Sequence, residues 1–400
     1  MTLTRALPDW LDGYLEYTTN TEPPYMYHMW MGISTIASLL QRKCCLEWGT
    51  LKFYPNMYIV LVGPPGRTRK GTAMNLAKPF LHELDIKIAA EATTREALIR
   101  ALAEASDTTP DMASGKLYTH SSLTVFSPEL TVFLGYNNSQ LLSDLTDWFD
   151  CSERWKYRTK HQGIDDIIGV YLTLIGGTTP DLIRTTLPLD AIGGGLTSRM
   201  IFIYEHDKGK IVPYPGLTDE QLVVYDKLRK DAARIHLMRG NFKVTKNFLG
   251  RWFDWYTNES NPTFNDSRFA GYFERKPMHI MKLSMIMCAS RTDDMKITEG
   301  DLNRAIKLMT ETERKMPRTF SGVGSHQNAA VLTQVMNEIG LSKKMRRSQI
   351  LQLFHRDLDG WMLDNMIKTL EGMKFITVTY DMQDDPLLTY IQGADPMVDD

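Results

Sequence analysis

The chain has 400 residues, of which 43% are hydrophobic, so it can bury a sizeable core and is expected to form two or three compact units. Its 46 basic and 48 acidic side chains give a net charge of −2, which excludes a chain-wide attraction to nucleic acid and requires any basic surface to be local. The four cysteines lack metal-ligand spacing and are predicted to be reduced thiols. No signal-peptide pattern opens the chain and no apolar run reaches about 18 residues, which predicts a soluble cytoplasmic protein without membrane contact.

The N-terminal part of the chain is predicted to lead from a packed helix into a buried strand. Residues 25–43, "YMYHMWMGISTIASLLQRK", space apolar side chains three and four apart and end in two cations, as helices do. The next segment alternates like a hairpin, and "MYIVLVG" (57–63) is a continuous apolar run typical of a buried parallel strand. A helix is predicted from "AMNLAKPFLHEL" (73–84). A strand, a glycine-rich loop and a helix in this order are the context of a phosphate-binding loop.

The loop between that strand and helix departs from the P-loop motif G-x-x-x-x-G-K-[ST]. It is one residue longer, and Arg69 stands where the last glycine belongs. Small residues let backbone amides converge on phosphate oxygens, and Lys70 is predicted to contact the β and γ phosphates. Thr72 or Thr68 is predicted to offer a hydroxyl to Mg²⁺. The predicted nucleotide-binding residues, in which the two arginines add positive charge, are Gly63, Pro64, Pro65, Gly66, Arg67, Thr68, Arg69, Lys70, Gly71 and Thr72. The alternative is a surface turn rich in glycine and proline.

Later apolar runs predict an α/β sheet of the P-loop class with helices on both faces. The runs are residues 122–126, 170–175 and 200–204. The segments expected from these patterns are an N-terminal helical segment (1–50), an ATPase core (51–246), a helical lid without strands (247–320) and a winged-helix domain (325–392). The last of these rests on three helical patterns followed by a short hairpin, which is the winged-helix arrangement.

Two strand ends carry candidate catalytic groups. In "LTVFSPELTVFLG" (123–135) the apolar run leads into Glu129, which is predicted to activate the attacking water. Ser-Pro precedes this glutamate where an aspartate usually holds Mg²⁺, and the alternative is a glutamate that caps the next helix. In "YLTLIGGTTPDLI" (171–183) Thr178 lies at a strand tip, where a polar side chain can sense the γ-phosphate.

Arg199 is a candidate for a contact between subunits. In "GGGLTSRMIFIYE" (193–205) three glycines permit a tight turn before this arginine enters a buried strand. An arginine held there is predicted to act as an arginine finger on a neighbouring subunit's nucleotide. The alternative is a salt bridge at the edge of the sheet. Arg275, near Lys276 and His279, is a similar candidate for phosphate contact.

Two local groups of cations predict contact with DNA. The segment "LSKKMRRSQILQLFHR" (341–356) contains no acidic residue, and neutralising phosphates is the usual source of sequence-independent affinity. In "CSERWKYRTKHQG" (151–163) cations alternate with aromatic residues, as a hairpin that grips a single strand would require. The predicted DNA-binding residues are Lys343, Lys344, Arg346, Arg347, Arg154, Lys156, Arg158 and Lys160. The alternatives are a protein-docking winged helix and a hairpin at a subunit interface.

These stretches, in their order along the chain, resemble the helicase half of phage- and plasmid-borne primase-helicase proteins. That family consists of P-loop ATPases of the AAA+/RecA-like kind, and the helical and winged-helix regions are similar in layout to MCM-type helicases. The resemblance spans residues 25–385 and implies an ATP- and Mg²⁺-dependent motor on single-stranded DNA that forms a ring, expected to be a hexamer. It assigns phosphate binding to Lys70, water activation to Glu129 and an intersubunit contact to Arg199. It also implies a separate primase or replication initiator and the cytoplasm of a bacterial host.

Three functions remain open at this stage. The first is an ATP-driven DNA helicase or translocase of a phage or mobile element, which is preferred because Lys70, Glu129 and Arg199 occur together. The second is a nucleotide-switched helicase loader that does not unwind DNA. The third is a DNA-binding regulator whose nucleotide site has decayed.

Overall fold

The chain divides into two compact units, Met1–Ser321 and Gly322–Asp400. The computed structural model describes residues 5–91, 93–110, 117–135, 138–159, 163–187, 194–320, 329–355, 357–380 and 385–391. The segments predicted as 1–50, 51–246 and 247–320 all lie in the first unit. Among the described residues, no helix combines the length and apolarity needed to cross a membrane.

The first unit alternates strands with helices. Its α-helices are α1 (Trp10–Tyr17), α2 (Tyr25–Leu40), α3 (Lys70–His82), α4 (Arg95–Glu104), α5 (Leu130–Leu134), α6 (Ser139–Phe149), α7 (Pro180–Thr186), α8 (Asp219–Leu237), α9 (Lys246–Asp254), α10 (Ala270–Arg291) and α11 (Glu299–Glu313). Its strands are β1 (Cys44–Trp48), β2 (Leu51–Phe53), β3 (Tyr58–Val62), β4 (Ser106–Pro110), β5 (Leu117–Ser127), β6 (Arg154–Thr159), β7 (Gly163–Ile168), β8 (Val170–Thr178), β9 (Met200–Tyr204), β10 (Gly240–Val244) and β11 (Lys296–Ile297). The predicted strands at 122–126, 170–175 and 200–204 are confirmed.

The largest sheet positions the candidate site. Its strand order is β4-β5-β8-β3-β9, in which β5, β8, β3 and β9 run parallel and β4 is antiparallel. Every residue of β3 and β8 is buried, which explains why their sequences are continuous apolar runs and not alternating ones. Ser127 lies opposite Gly176, and Val62 lies opposite both Thr178 and Tyr204. The carboxyl ends of the four parallel strands therefore meet at one edge of the sheet.

A second sheet joins distant parts of the chain in the order β11-β10-β1-β2. The predicted hairpin is confirmed, because β1 and β2 pair antiparallel with Leu46 opposite Phe53. The prediction that residues 247–320 contain no strand is wrong, since Lys296–Ile297 pairs with β10. A strand of two residues is too short to show any alternation. The chain is thus an α/β protein with mixed parallel sheets flanked by helices, as predicted at this level.

Hydrogen bonds and ion pairs connect the region predicted as a lid to the N-terminal helices. Trp30 of α2 donates its indole N–H to the Thr312 hydroxyl of α11 over 3.0 Å. Arg304 of α11 pairs with Asp9, the residue that caps α1, at 2.6 Å. Thr298 and Asp301 form a capping box at the start of α11. Residues 247–320 therefore share one core with the sheet.

The second unit contains α12 (Ala329–Ser342), β12 (Lys344–Arg346), α13 (Arg347–Leu353), α14 (Gly360–Gly372), β13 (Ile376–Thr379) and β14 (Leu387–Tyr390). Its antiparallel sheet has the order β12-β14-β13. Leu363, Leu370 and Leu388 are among the buried side chains of its separate core. The three predicted helices and the terminal hairpin are confirmed, whereas β12 replaces part of what was predicted as a turn.

Candidate functional site

The loop of residues 63–69 joins β3 to α3 at the carboxyl edge of the large sheet. A side chain at Gly63 would not fit, because its Cβ would lie 2.5 Å from the Glu205 carbonyl oxygen and 2.8 Å from the hydroxyls of Thr68 and Tyr27. Gly66 has a φ of +66°, which is readily adopted only by glycine. These two glycines are therefore required by the shape of the loop.

Arg69 adopts a backbone conformation that glycine adopts without a steric cost. Its φ is 57° and its ψ is 36°, in the left-handed region, and it directly precedes α3. A side chain costs about 1–2 kcal/mol in this conformation. A glycine at this position would therefore be free of this strain.

We expect Arg69→Gly to raise the free energy of unfolding by about 0.5–1 kcal/mol, because relief of the left-handed strain exceeds the added backbone entropy. The matched control is Arg67→Gly, which also removes an exposed arginine paired with a carboxylate but at a negative φ. This control should lower the free energy of unfolding by about 0.5–1 kcal/mol. Urea denaturation measures both, and equal destabilisation by the two changes would contradict the strain at Arg69.

Lys70 begins α3 and turns its ammonium group back toward the loop. Its Nζ donates to the carbonyl oxygens of Gly63 at 2.6 Å and of Pro64 at 3.3 Å. Burial lowers the pKa of Lys70, and the nearby Glu129 carboxylate opposes that shift. Thr72 is exposed in the first turn of α3. The side chain of Thr68, the other candidate for Mg²⁺, is buried beside Gly63.

Glu129 and Thr178 lie at the same edge as Lys70. Glu129 is exposed at the start of α5, two residues after β5 ends, and Thr178 is the last residue of β8. The Thr178 carbonyl accepts a hydrogen bond from the Gly63 amide at 3.3 Å, which fixes the loop against this strand end. A Cβ at Gly177 would lie 2.7 Å from the Pro128 carbonyl oxygen, so a glycine there lets the two strand ends approach. Lys70, Glu129 and Thr178 are therefore brought together as predicted.

Each of the two arginines of the loop pairs with a carboxylate. Arg67 pairs with Asp207 at 2.5 Å, and Arg69 pairs with Glu22 at 2.7 Å. The sequence did not predict these pairs, in which each arginine has a carboxylate partner from outside the loop.

Arg199 lies at the opposite edge of the large sheet, immediately before β9. Its side chain is only 8% exposed and pairs with Asp150 at 2.6 Å, and it also donates to the Gly195 carbonyl oxygen at 2.8 Å. The chain thus holds Arg199 in an internal ion pair, the alternative left open in the sequence, and this arrangement does not present a finger to a neighbouring molecule. Arg275 donates to the Ser198 hydroxyl at 2.9 Å in the same region.

The predicted hairpin is formed by β6 and β7, but its aromatic side chains face the protein. Trp155 packs edge-on against Trp148, and the Arg95 guanidinium lies 4.7 Å from the centre of the Tyr157 ring. Both rings are therefore half-buried and already in contact with side chains of this chain. Arg154 pairs with an acidic residue of the neighbouring strand, Asp166. Lys156 and Arg158 are exposed on the outer face, and Lys160 lies outside the described residues.

The cations of the second unit are partly neutralised. Arg347 pairs with Asp364 of α14 at 2.6 Å, and Lys343 lies 4.3 Å from the centre of the Tyr390 ring. Arg346 caps α13, and one of its guanidinium nitrogens is 3.4 Å from the Asp385 carbonyl oxygen. Lys344 is exposed and lines an open pocket with Gln349 and Gln352.

A pocket of about 290 Å³ was not foreseen from the sequence. It lies between the start of α2, the end of β9 and the end of α11. Its lining residues are Tyr25, Met26, Ile203, Tyr204, Glu205, Glu311, Thr312, Arg314 and Lys315. Glu205 lines this pocket, and its carbonyl oxygen lies close to Gly63. The pocket is therefore next to the loop. No local sequence pattern predicts this pocket, because its lining residues come from three distant parts of the chain.

Comparison with known proteins gives no assignment: no family model matches the chain, and no curated protein matches it. Within the described residues, no group of three or more His, Cys, Asp or Glu side chains is arranged to hold a metal ion.

Proposed function

We propose that the protein is an ATP-dependent DNA helicase or translocase that works in DNA replication as a ring-shaped oligomer, with a phage or mobile element as its source. The observation that carries this proposal is the convergence of Lys70, Glu129 and Thr178 at the carboxyl edge of the parallel strands. Ligands of open α/β sheets bind outside the carboxyl ends of the strands. A strand, a tight glycine loop and a helix whose first residue is a lysine favour a nucleotide triphosphate as that ligand.

Each residue at this edge has a separate role in hydrolysis. The loop amides and the positive end of α3 hold the phosphates, and the Lys70 ammonium exchanges the Gly63 carbonyl oxygen for a phosphate oxygen. Glu129 accepts a proton from the attacking water, and Thr178 lies beside the loop to contact the terminal phosphate. The exposed Thr72 hydroxyl fits Mg²⁺, which takes few protein ligands beside water and phosphate oxygens. The ion neutralises charge on the phosphates when it is bound.

The pocket beside the loop supports a nucleotide over a simple phosphate. Its volume of about 290 Å³ accommodates a base, and Tyr25, Met26 and Tyr204 supply apolar and aromatic surface. The Glu205 carboxylate there accepts from Lys315 at 2.6 Å, which gives the pocket polar groups at fixed positions. ATP is the nucleotide that a motor of this kind would use.

Contact with DNA rests on two surfaces. The outer face of the β6–β7 hairpin presents Lys156 and Arg158, which attract phosphates. The second unit has the element order of a winged helix, a variant of the helix-turn-helix, with the exposed Lys344 on β12. Its third helix, α14, carries Asp364 and Glu371, so backbone contact is favoured over base reading.

A second candidate is a nucleotide-switched helicase loader, or a DNA-binding regulator, without unwinding activity. The internal pairing of Arg199 with Asp150 favours it, because an arginine held inside its own chain does not reach a neighbour's nucleotide. Ser-Pro in place of the usual aspartate before Glu129 also favours this second candidate. Such a protein binds ATP but turns it over slowly and independently of DNA.

ATP hydrolysis with and without single-stranded DNA separates the two candidates. The motor predicts turnover that rises at least several-fold with DNA and is lost in Lys70→Ala. The loader predicts ATP binding that depends on Lys70 with slow turnover that DNA does not change. Absence of ATP binding would contradict both the motor and the loader. Binding to duplex DNA that ATP does not affect would leave only the regulator.

A further inference from the structure

Two carboxylates from outside the glycine loop hold its two arginines. Asp207 follows β9 and pairs with Arg67 at 2.5 Å. Glu22 precedes α2 and pairs with Arg69 at 2.7 Å. Both arginines are about half exposed, at 55% and 46%. They flank Thr68 next to Lys70, the residue to which phosphate binding is assigned under the proposed function. Both arginines therefore lie within three positions of the lysine proposed to bind phosphate.

Glu22 also ties the loop to the segment of residues 206–217. Besides Arg69 it accepts from the Lys208 ammonium at 2.7 Å and the Val212 amide at 3.4 Å, and its own carbonyl oxygen accepts from the Gly209 amide at 2.9 Å. Hydrogen bonds from Lys208 and then from Arg69 lower the pKa of Glu22 to about 2, so this carboxylate is charged at every physiological pH. Glu22 keeps two of its partners when Arg69 leaves.

Phosphate is the stronger partner for these arginines. Exposed arginine–carboxylate pairs contribute little, because water and salt screen them. A guanidinium group meets a phosphate through two parallel charge-assisted hydrogen bonds, and a polyphosphate carries more charge than a single carboxylate. Competition between the two kinds of anion therefore favours phosphate, at the cost of the contacts with Asp207 and Glu22.

We propose, on the basis of the proposed function, that Arg67 and Arg69 are phosphate-binding residues whose access is limited by Asp207 and Glu22. These two carboxylates are positioning residues, because they act on the ligand only through the arginines. Binding of a polyphosphate then loosens the attachment of residues 206–217, which expose Ile211 (76%), Tyr214 (87%) and Leu217 (41%). By thermodynamic linkage, a partner that holds residues 206–217 in place lowers the affinity for nucleotide by the same factor.

The test measures the affinity of the full chain for ATP that carries a fluorescent group on its ribose. Asp207→Asn and Glu22→Gln should each tighten binding by about 1.5- to 5-fold, since each removes one weak competing pair. The control is Asp226→Asn, which removes a carboxylate paired with Lys230 on α8 and should leave the affinity unchanged. Thermal unfolding checks that each variant is folded, and the exposed Asp207 provides a variant that does not disturb the Glu22 network.

A double-mutant cycle distinguishes competition from a general structural effect. Arg67→Gln should weaken binding more in the Asp207→Asn background than in the wild type, because the arginine is then free for phosphate. Trypsin provides a second readout, since ATP should speed cleavage after Lys208 and Lys210 in the wild type. Binding that depends on Lys70 but is unchanged or weakened in both carboxylate variants would overturn this inference alone. Binding that is indifferent to Lys70→Ala would overturn the proposed function and this inference with it.

Discussion

Glu129→Gln is expected to lower the rate of ATP hydrolysis by about 10²–10⁴-fold, the range that a positioned general base contributes. Affinity for ATP should stay within about threefold of the wild type, because Glu129 contacts the attacking water and not the ligand before reaction. Glutamine keeps the size of the side chain but cannot accept the proton. Steady-state hydrolysis and equilibrium binding of ATP measure the two effects separately.

The matched control for that change is Glu91→Gln, which removes another exposed glutamate of the first unit, one that pairs with Lys78. Its hydrolysis rate should equal that of the wild type. If Glu129→Gln turns over ATP as fast as this control, water activation belongs to another group. Loss of binding in Glu129→Gln would instead mean that the carboxylate supports the loop through its interaction with Lys70.

Lys276→Met is expected to lower the free energy of unfolding of the first unit by about 3–5 kcal/mol, because it leaves a buried carboxylate without its cation. Lys276 and Glu313 pair at 2.7 Å, and their side chains are only 2% and 0% exposed. The hydroxyls of Tyr272 and Thr263 also donate to Glu313, and they would have to carry the charge alone. Chemical denaturation of the wild type and the variant measures the difference.

Two further variants separate burial from ion pairing. Replacing both partners, as Lys276→Met with Glu313→Gln, should recover most of the lost stability, since no buried charge remains. Lys315→Met breaks a pair with Glu205 in which the lysine is 50% exposed, and it should cost less than about 1 kcal/mol. Equal losses from Lys276→Met and Lys315→Met would contradict the importance of the buried pair.

Local patterns were sufficient for the buried parallel strands, the loop and the second unit's helices. The apolar run ending at Val62, the glycines after it and the helix that starts at Lys70 were predictable because each depends on neighbours in the sequence. The conformation of Arg69 was not, since the motif allows only glycine there and a mismatch by itself does not reveal whether the backbone has changed. A left-handed φ at a non-glycine residue requires the surrounding structure to hold it.

Charge partners from distant parts of the chain could not be predicted. Arg67 and Asp207 are separated by 140 positions, so the loop seemed to have more free positive charge than it has. The hairpin appeared basic because β6 alone was considered, whereas Asp166 on β7 pairs with Arg154. Arg199 seemed available to a neighbouring subunit because its pairing with Asp150 depends on where α6 ends in space. Tertiary neighbours decide whether a cation is free, and composition does not.

The central claim is that the β3–α3 loop binds the triphosphate of ATP, and a crystal structure of the chain with Mg²⁺ and a non-hydrolysable ATP analogue tests it most directly. Phosphate oxygens are expected against the backbone N–H groups of residues 66–71, with the Lys70 Nζ moved from the Gly63 carbonyl oxygen onto the phosphates. Glu129 and Thr178 should face the terminal phosphate. A nucleotide bound elsewhere, with Lys70 still on the Gly63 carbonyl oxygen, would contradict the account.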